Sequence, residues 1–111
     1  MTPEEYYKSM SEKRAVDALI IHQLILKLFP TCTVSMLYKM PTYQTELGFV
    51  AIGNKKHHWA LYTCSAEKIK PYIEKHPDIK HGVGCLNFRA KDILDIDTIA
   101  IVLNNALNIS K

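Results

Sequence analysis

Apolar residues recur at helical spacing near the start of the chain and again at its end, with strand-like runs between. From Ala15 onward, Val16, Leu19, Ile20, Leu24 and Leu28 keep helical spacing, and Ile21, Ile25 and Leu26 widen the stripe. This pattern predicts a helix with more than one packed surface. It ends at Phe29, because Pro30 cannot continue a helix and pushes its predecessor toward an extended shape. Ahead of it, Thr2-Pro3-Glu4-Glu5 predicts a short first helix with a T-x-x-E capping box and proline in its first turn, and Ser9 or Ser11 starts the second. At the far end, Ile96, Ile99, Ala100, Leu103, Ala106 and Leu107 predict a closing helix over residues 96–109. Asp92, Asp95 and Asp97 crowd its approach, where carboxylates answer unpaired N–H groups and the helix dipole.

Between the helices the periodicity shortens. Residues 33–38, rich in Thr, Val and Tyr, predict a strand that Met40-Pro41 stops, since proline has no N–H for a ladder. Residues 47–52 and 58–64 flank Gly53-Asn54-Lys55-Lys56-His57, a turn cluster that predicts an antiparallel hairpin. Ser65 opens a helical segment holding Ile69, Tyr72 and Ile73; Pro71 inside it predicts a short, kinked or restarted helix, ended by His76-Pro77-Asp78. Residues 83–89 form the last strand, with Leu86 and Phe88 on one face. No repeat, low-complexity tract or long linker divides the chain, so residues 1–111 read as one domain. The fold class expected is α+β, in two layers: an antiparallel sheet covered on one face by the N- and C-terminal helices.

The order helix, Tyr38-Lys39-Met40-Pro41-Thr42-Tyr43, hairpin, Gly84-Cys85-Leu86-Asn87-Phe88 strand, final helix resembles the small bacterial YdhG-like family. That resemblance covers nearly the whole chain and implies a YdhG-like domain in one structural superfamily with frataxin and the YjbR-like proteins. It names no reaction. Through frataxin it implies an iron-binding or iron-chaperone role in iron–sulfur metabolism as an alternative function, and through the YjbR-like proteins nucleic-acid binding as a further one.

Bulk composition bounds these readings. A length of 111 residues supports one real core, and 48% apolar with 23% charged residues is ordinary for a globular protein. No apolar run reaches the roughly 18 residues of a membrane span, and the acidic, capped N-terminus does not read as a signal peptide. No membrane association and a cytoplasmic location are therefore expected. Cys32, Cys64 and Cys85 form no C-x-x-C pair, so they are expected as buried free thiols rather than disulfides or zinc ligands. The net charge of +3 is uneven: Lys55, Lys56, Lys68, Lys70, Lys75, Lys80, Arg89 and Lys91 face only Glu67, Glu74 and Asp78 in their stretch. Scattered lysines of this kind are ordinarily a solvated surface.

The candidate chemistry is sparse. Adjacent His57 and His58 point apart on a strand and cannot share an ion. The frataxin-type acidic ridge is missing, because Lys8, Lys13 and Arg14 interrupt Glu4, Glu5, Glu12 and Asp17; a hard cation prefers clustered carboxylates. No metal or catalytic site is assigned, and no cofactor is expected beyond the iron of the alternative reading. Phosphate-loop, dinucleotide and nucleophile-elbow motifs are missing, and Cys85 stands about 13 Å along its strand from Arg89. Lys55-Lys56-His57-His58-Trp59 sets cations beside a ring, as single-stranded nucleic acid would need, although two lysines at a hairpin tip are ordinarily just a soluble turn and nucleic acid is not the favoured partner. What remains is a set of large side chains near the proline corner. Tyr38, Met40, Pro41, Tyr43, Trp59, Phe88 and Arg89 are expected to line an aromatic cleft on the uncovered sheet face. The chain is thus expected to be a non-enzymatic binding protein for a small molecule or a partner protein, with that face also able to serve as a homodimer interface.

Overall fold

The computed structural model describes residues 1–107. In chain order it runs α1 (Pro3–Lys8), α2 (Glu12–Leu28), β1 (Thr33–Ser35), a 3-10 turn (Leu37–Lys39), β2 (Thr42–Gln44), β3 (Phe49–Asn54), β4 (Trp59–Thr63), α3 (Ala66–Lys75), β5 (Lys80–His81), β6 (Cys85–Phe88) and α4 (Ile96–Leu107). Residues 108 and 109, expected to extend α4, lie outside the described residues. The strands form one antiparallel sheet in the order β1-β2-β3-β4-β6-β5.

Alternation along the strands sorts the sheet into two unlike faces. Tyr43, Val50, Ile52, Trp59, Leu61, Leu86 and Phe88 point to one side and share a single core with Tyr7, Ile21, Ile25, Ile69, Tyr72, Ile99, Val102 and Leu103 of the helices. The other side carries Thr42, Gln44, Phe49, Ala51, Gly53, Ala60, Tyr62, Cys85 and Asn87. All four helices contribute to the core, so α3 joins the terminal helices in covering the sheet.

Local chemistry sets the boundaries. The capping box forms: Glu5 N donates to Thr2 Oγ1 at 3.1 Å, and Thr2 N donates to Glu5 Oε1 at 2.8 Å. Ser11 and Ser65 hold the N-cap positions of α2 and α3 without a side-chain bond. Asp95 caps α4, accepting from Thr98 N at 3.2 Å and from Thr98 Oγ1 at 2.7 Å. Two expectations need correction, and of the short, kinked or restarted helix expected around Pro71 the short form is the one found. The strand expected over residues 33–38 stops at Ser35, where the chain coils into the 3-10 turn, and β2 and β5 were not anticipated. Pro71 does not break α3, which runs unbroken for ten residues; the bond it forfeits belongs to the carbonyl of Glu67, an exposed residue that water can satisfy. The three thiols are free but not buried, Cys64 being exposed and Cys32 and Cys85 half-buried.

Candidate functional site

The structure does not gather the seven expected residues at one surface. Tyr43 hangs from β2 into the core, where its hydroxyl bonds Tyr7 of α1 and stands 2.7 Å from His22 Nδ1 of α2. Trp59 and Phe88 are paired across β4 and β6, and their rings stack at 4.5 Å with Tyr72 of α3 edge-on to Phe88 at 5.7 Å. These three rings lie beneath the helices, on the face opposite to the one expected. The reason is register: Tyr43, Trp59 and Phe88 share the strand parity of Val50, Ile52 and Leu61, the most apolar set in the sheet, and the helices cover that set. Arg89 lies just past β6, with Nε and Nη2 each 3.1 Å from a carboxylate oxygen of Asp92.

Tyr38 and Met40 do stand at the uncovered face, whereas Pro41 between them and β2 is buried. Their turn is built against backbone preference, for Tyr38 (φ 57°, ψ 25°) and Lys39 (φ 60°) are both left-handed. A non-glycine residue there costs on the order of 1 kcal/mol or more. The surroundings hold it in place: Lys39 N donates to Met36 O at 2.9 Å, Met40 N to Leu37 O at 3.2 Å, and Ile52 N to Pro41 O at 3.0 Å. Thr42 Oγ1 reaches back to Met40 O at 2.9 Å and Leu37 O at 3.2 Å. The result is a tyrosine ring held in water, 76% exposed, beside Leu37 at 49%.

Next to this turn lies a cavity of about 180 Å³ lined by Leu37, Tyr38, Thr42, Gln44 and Phe49. On the other side of Gln44 lies a separate polar groove bounded by Thr31, Thr33, Thr45 and Glu46. The other end of the face is closed by its own side chains. A Cβ on Gly53 would stand 2.8 Å from Met40 Sδ and 3.0 Å from Tyr62 Cε2, so the thioether and the ring lie directly on the strand there. Lys55 Nζ sits 5.8 Å from the centroid of that ring. Leu37, Thr42, Gln44 and Phe49 are the lining residues that the sequence pattern did not bring forward. The alternation of Thr42 and Gln44 about Tyr43 was the available signal for a strand, but three residues are too few to stand out beside a proline.

The iron of the superfamily resemblance does not fit the residues present. Among the described residues no three His, Cys, Asp or Glu side chains converge. Asp92 is engaged by Arg89, and Asp95 by His76, Lys75 and Thr98. Glu5 closes the capping box and Asp17 pairs with Lys13. No helix among the described residues is long and apolar enough to cross a membrane.

The sequence matches no protein-family model and no curated protein. Among solved structures, the chain is similar to the crystal structure of YdhG, a DUF1801-family protein from Bacillus subtilis. The two align with a TM-score of 0.70 at 12% identity, over 90% of this chain and 83% of the other. That likeness shows the fold, an α+β sheet-and-helix arrangement as expected from the sequence.

Proposed function

We propose that the chain is a binding module that recognises a partner protein at its uncovered sheet face, around the Leu37–Lys39 turn. The observation that carries this reading is the exposed ring of Tyr38, fixed in left-handed backbone beside a cavity walled by Leu37 and Phe49. Strained backbone that exposes an aromatic side chain gains nothing for the fold, and such strain clusters at recognition sites. The size of the cavity beside the turn favours a partner side chain there. Sites for free small molecules span roughly 300–1,000 Å³, whereas about 180 Å³ suits one apolar side chain of a partner. The adjoining groove of Thr33, Gln44 and Thr45 supplies donors and acceptors for the polar rim such an interface needs. A second copy of this chain is one partner with suitable chemistry, since Leu37 and Tyr38 are both exposed at the turn.

Phenol and isobutanol, standing in for aromatic and aliphatic side chains, test the reading by chemical-shift mapping on 15N-labelled protein. Shifts confined to Leu37, Tyr38, Thr42, Gln44 and Phe49, and removed by Leu37→Asp, are expected. Shifts scattered over the surface, or insensitive to that substitution, contradict it. Sedimentation across a concentration series separates a self-partner, which Leu37→Asp would dissociate, from a foreign one.

A further inference from the structure

One edge of the sheet is open in a form that can pair with itself. The bonds at the ends of β2 fix which way each residue of β1 faces. Thr45 N donates to Gly48 O at 2.9 Å and Ile52 N to Pro41 O at 3.0 Å, so in the observed register Pro41, Tyr43 and Thr45 bond toward β3. Bonding direction alternates along a strand, hence Thr42 and Gln44 bond toward β1, through Ser35 and Thr33. Val34 lies between those two, and its N–H and C=O point away from the sheet. Alternation gives Cys32 O and Met36 N the same outward direction. Among the described residues none of these outward groups has a hydrogen-bond partner within the chain, so each is left to water or to another chain.

We infer that β1 is a self-association edge: two copies of this chain pair antiparallel about a two-fold axis at Val34 and join their sheets into one. This contact uses the backbone of β1 and goes beyond the reading of the Tyr38 cavity, which uses side chains of the adjoining face.

The order of the free groups is what selects a second copy. Turned about Val34, the segment sets Met36 N opposite Cys32 O, and the N–H and C=O of Val34 opposite the C=O and N–H of its twin, so each donor meets an acceptor. Cys32 N and Met36 O, which the pairing does not need, are already engaged: Cys32 N donates to Phe29 O at 3.1 Å, and Met36 O accepts from Lys39 N at 2.9 Å.

The side chains agree with this geometry. Thr33, Val34 and Ser35 are all exposed. Residues 31–38 carry no charge, so two copies meet without repulsion. Val34 stands against its own copy at a Cα separation of about 5.5 Å, flanked by the half-buried Cys32 and Met36, while Thr33 of one copy faces Ser35 of the other. The opposite edge of the sheet shows the contrast. There β5 consists of Lys80 and His81 alone, and a very short edge bearing lysine resists pairing. No lysine or proline guards β1.

Sedimentation of the full chain across a concentration series into the millimolar range should show a monomer–dimer equilibrium. Val34→Pro removes an N–H that a single copy leaves unpaired, a change an edge strand tolerates. The axis makes the dimer lose that bond twice, so association should weaken by about tenfold or more, with the far-UV circular dichroism unchanged. Val34→Lys and Val34→Glu should each lose the dimer alone, because like charges then stand opposite one another, and should recover it when mixed in equal amounts. That recovery decides the matter even if the proline variant fails to fold. A monomer at every concentration would leave the edge to a foreign strand and overturn the pairing, as would a dimer indifferent to Val34→Pro or no recovery in the mixture. Leu37→Asp separates the two surfaces, since it should abolish phenol binding at the cavity and leave the β1 dimer intact. A dimer lost to Leu37→Asp but kept by Val34→Pro would assign self-association to the turn and overturn the pairing at Val34.

Discussion

His22 Nδ1 of α2 stands 2.7 Å from Tyr43 Oη of β2, and the same oxygen bonds the hydroxyl of Tyr7 in α1. His22 Nε2 faces Glu4 Oε2 at 3.7 Å. With Tyr7 donating to Tyr43 and Tyr43 donating to His22 Nδ1, each of the three buried groups has a partner. The chain of polar groups joins both N-terminal helices to the sheet through groups that are buried at three of its four members.

Tyr43→Phe should therefore destabilise the protein by about 1–3 kcal/mol, because it strands both the Tyr7 hydroxyl and His22 Nδ1. Tyr7→Phe removes only the donor at the end of the chain and should cost less. Urea unfolding of the two single variants and the double variant measures the difference, and the double variant should fall short of the sum because the pair is in direct contact.

Alkaline pH gives an independent check on the same groups. Burial first, then the neighbouring Tyr43, raises the Tyr7 phenol far above its ordinary value; burial likewise raises Tyr43 and Tyr72. The unfolded chain ionises these phenols near pH 10 while the folded chain keeps its protons. Stability is thus fully present below about pH 10 and falls as pH rises beyond it, with the unfolded state binding fewer protons. A Tyr7→Phe/Tyr43→Phe variant should show a shallower loss between pH 9 and 11 by circular dichroism.

Acid has the opposite sign at the other end of the molecule. His76 chiefly, then Thr98, holds the Asp95 carboxyl well below the usual carboxylate range; Asp92 is also lowered, burial working against the shift and the bonds and charge of Arg89 outweighing it. This contribution is fully present above the unfolded value of about 3.9 and is lost as pH falls below it toward the depressed folded-state values. Asp95→Asn should lower stability at pH 7 and flatten the acid limb of the melting profile below about pH 5.

The strained turn makes a stereochemical prediction. At Tyr38 glycine accepts the left-handed backbone freely and a β-branched residue resists it. Tyr38→Gly should be within about 1 kcal/mol of the parent chain, and Tyr38→Val less stable than Tyr38→Gly by about 1–2 kcal/mol, as read from urea midpoints. Equal stabilities would mean that the turn is not held left-handed in solution.

The layers and most element positions were legible in the sequence, because they depend on strong local signals. The T-x-x-E box, Pro30 and the Gly53–His57 cluster each act within a few residues, and the helical stripes are long. The side of the sheet that Trp59, Phe88 and Tyr43 occupy was not legible. Alternation groups them correctly, yet which group the helices cover depends on which set is the more apolar across all the strands, a property of pairing that one strand does not carry. The same holds for the pairing of His76 with Asp95. The aspartate reads as a helix cap and is one, but its contact with His76 spans 19 positions and arises only when α3 packs beside α4. Pro71 shows the limit from another side: its local cost is small against the burial of Ile69 and Tyr72 around it.

Trp59 is the sole tryptophan, and it is 2% exposed between the sheet and the helices. Its fluorescence reports directly on whether the helix-covered face holds the rings and leaves the Tyr38 face open. Blue-shifted emission, weak quenching by iodide and no change on Tyr38→Gly are the results expected. Red-shifted emission quenched freely by iodide in the folded protein would place the indole at the surface and contradict the arrangement on which both proposed sites depend.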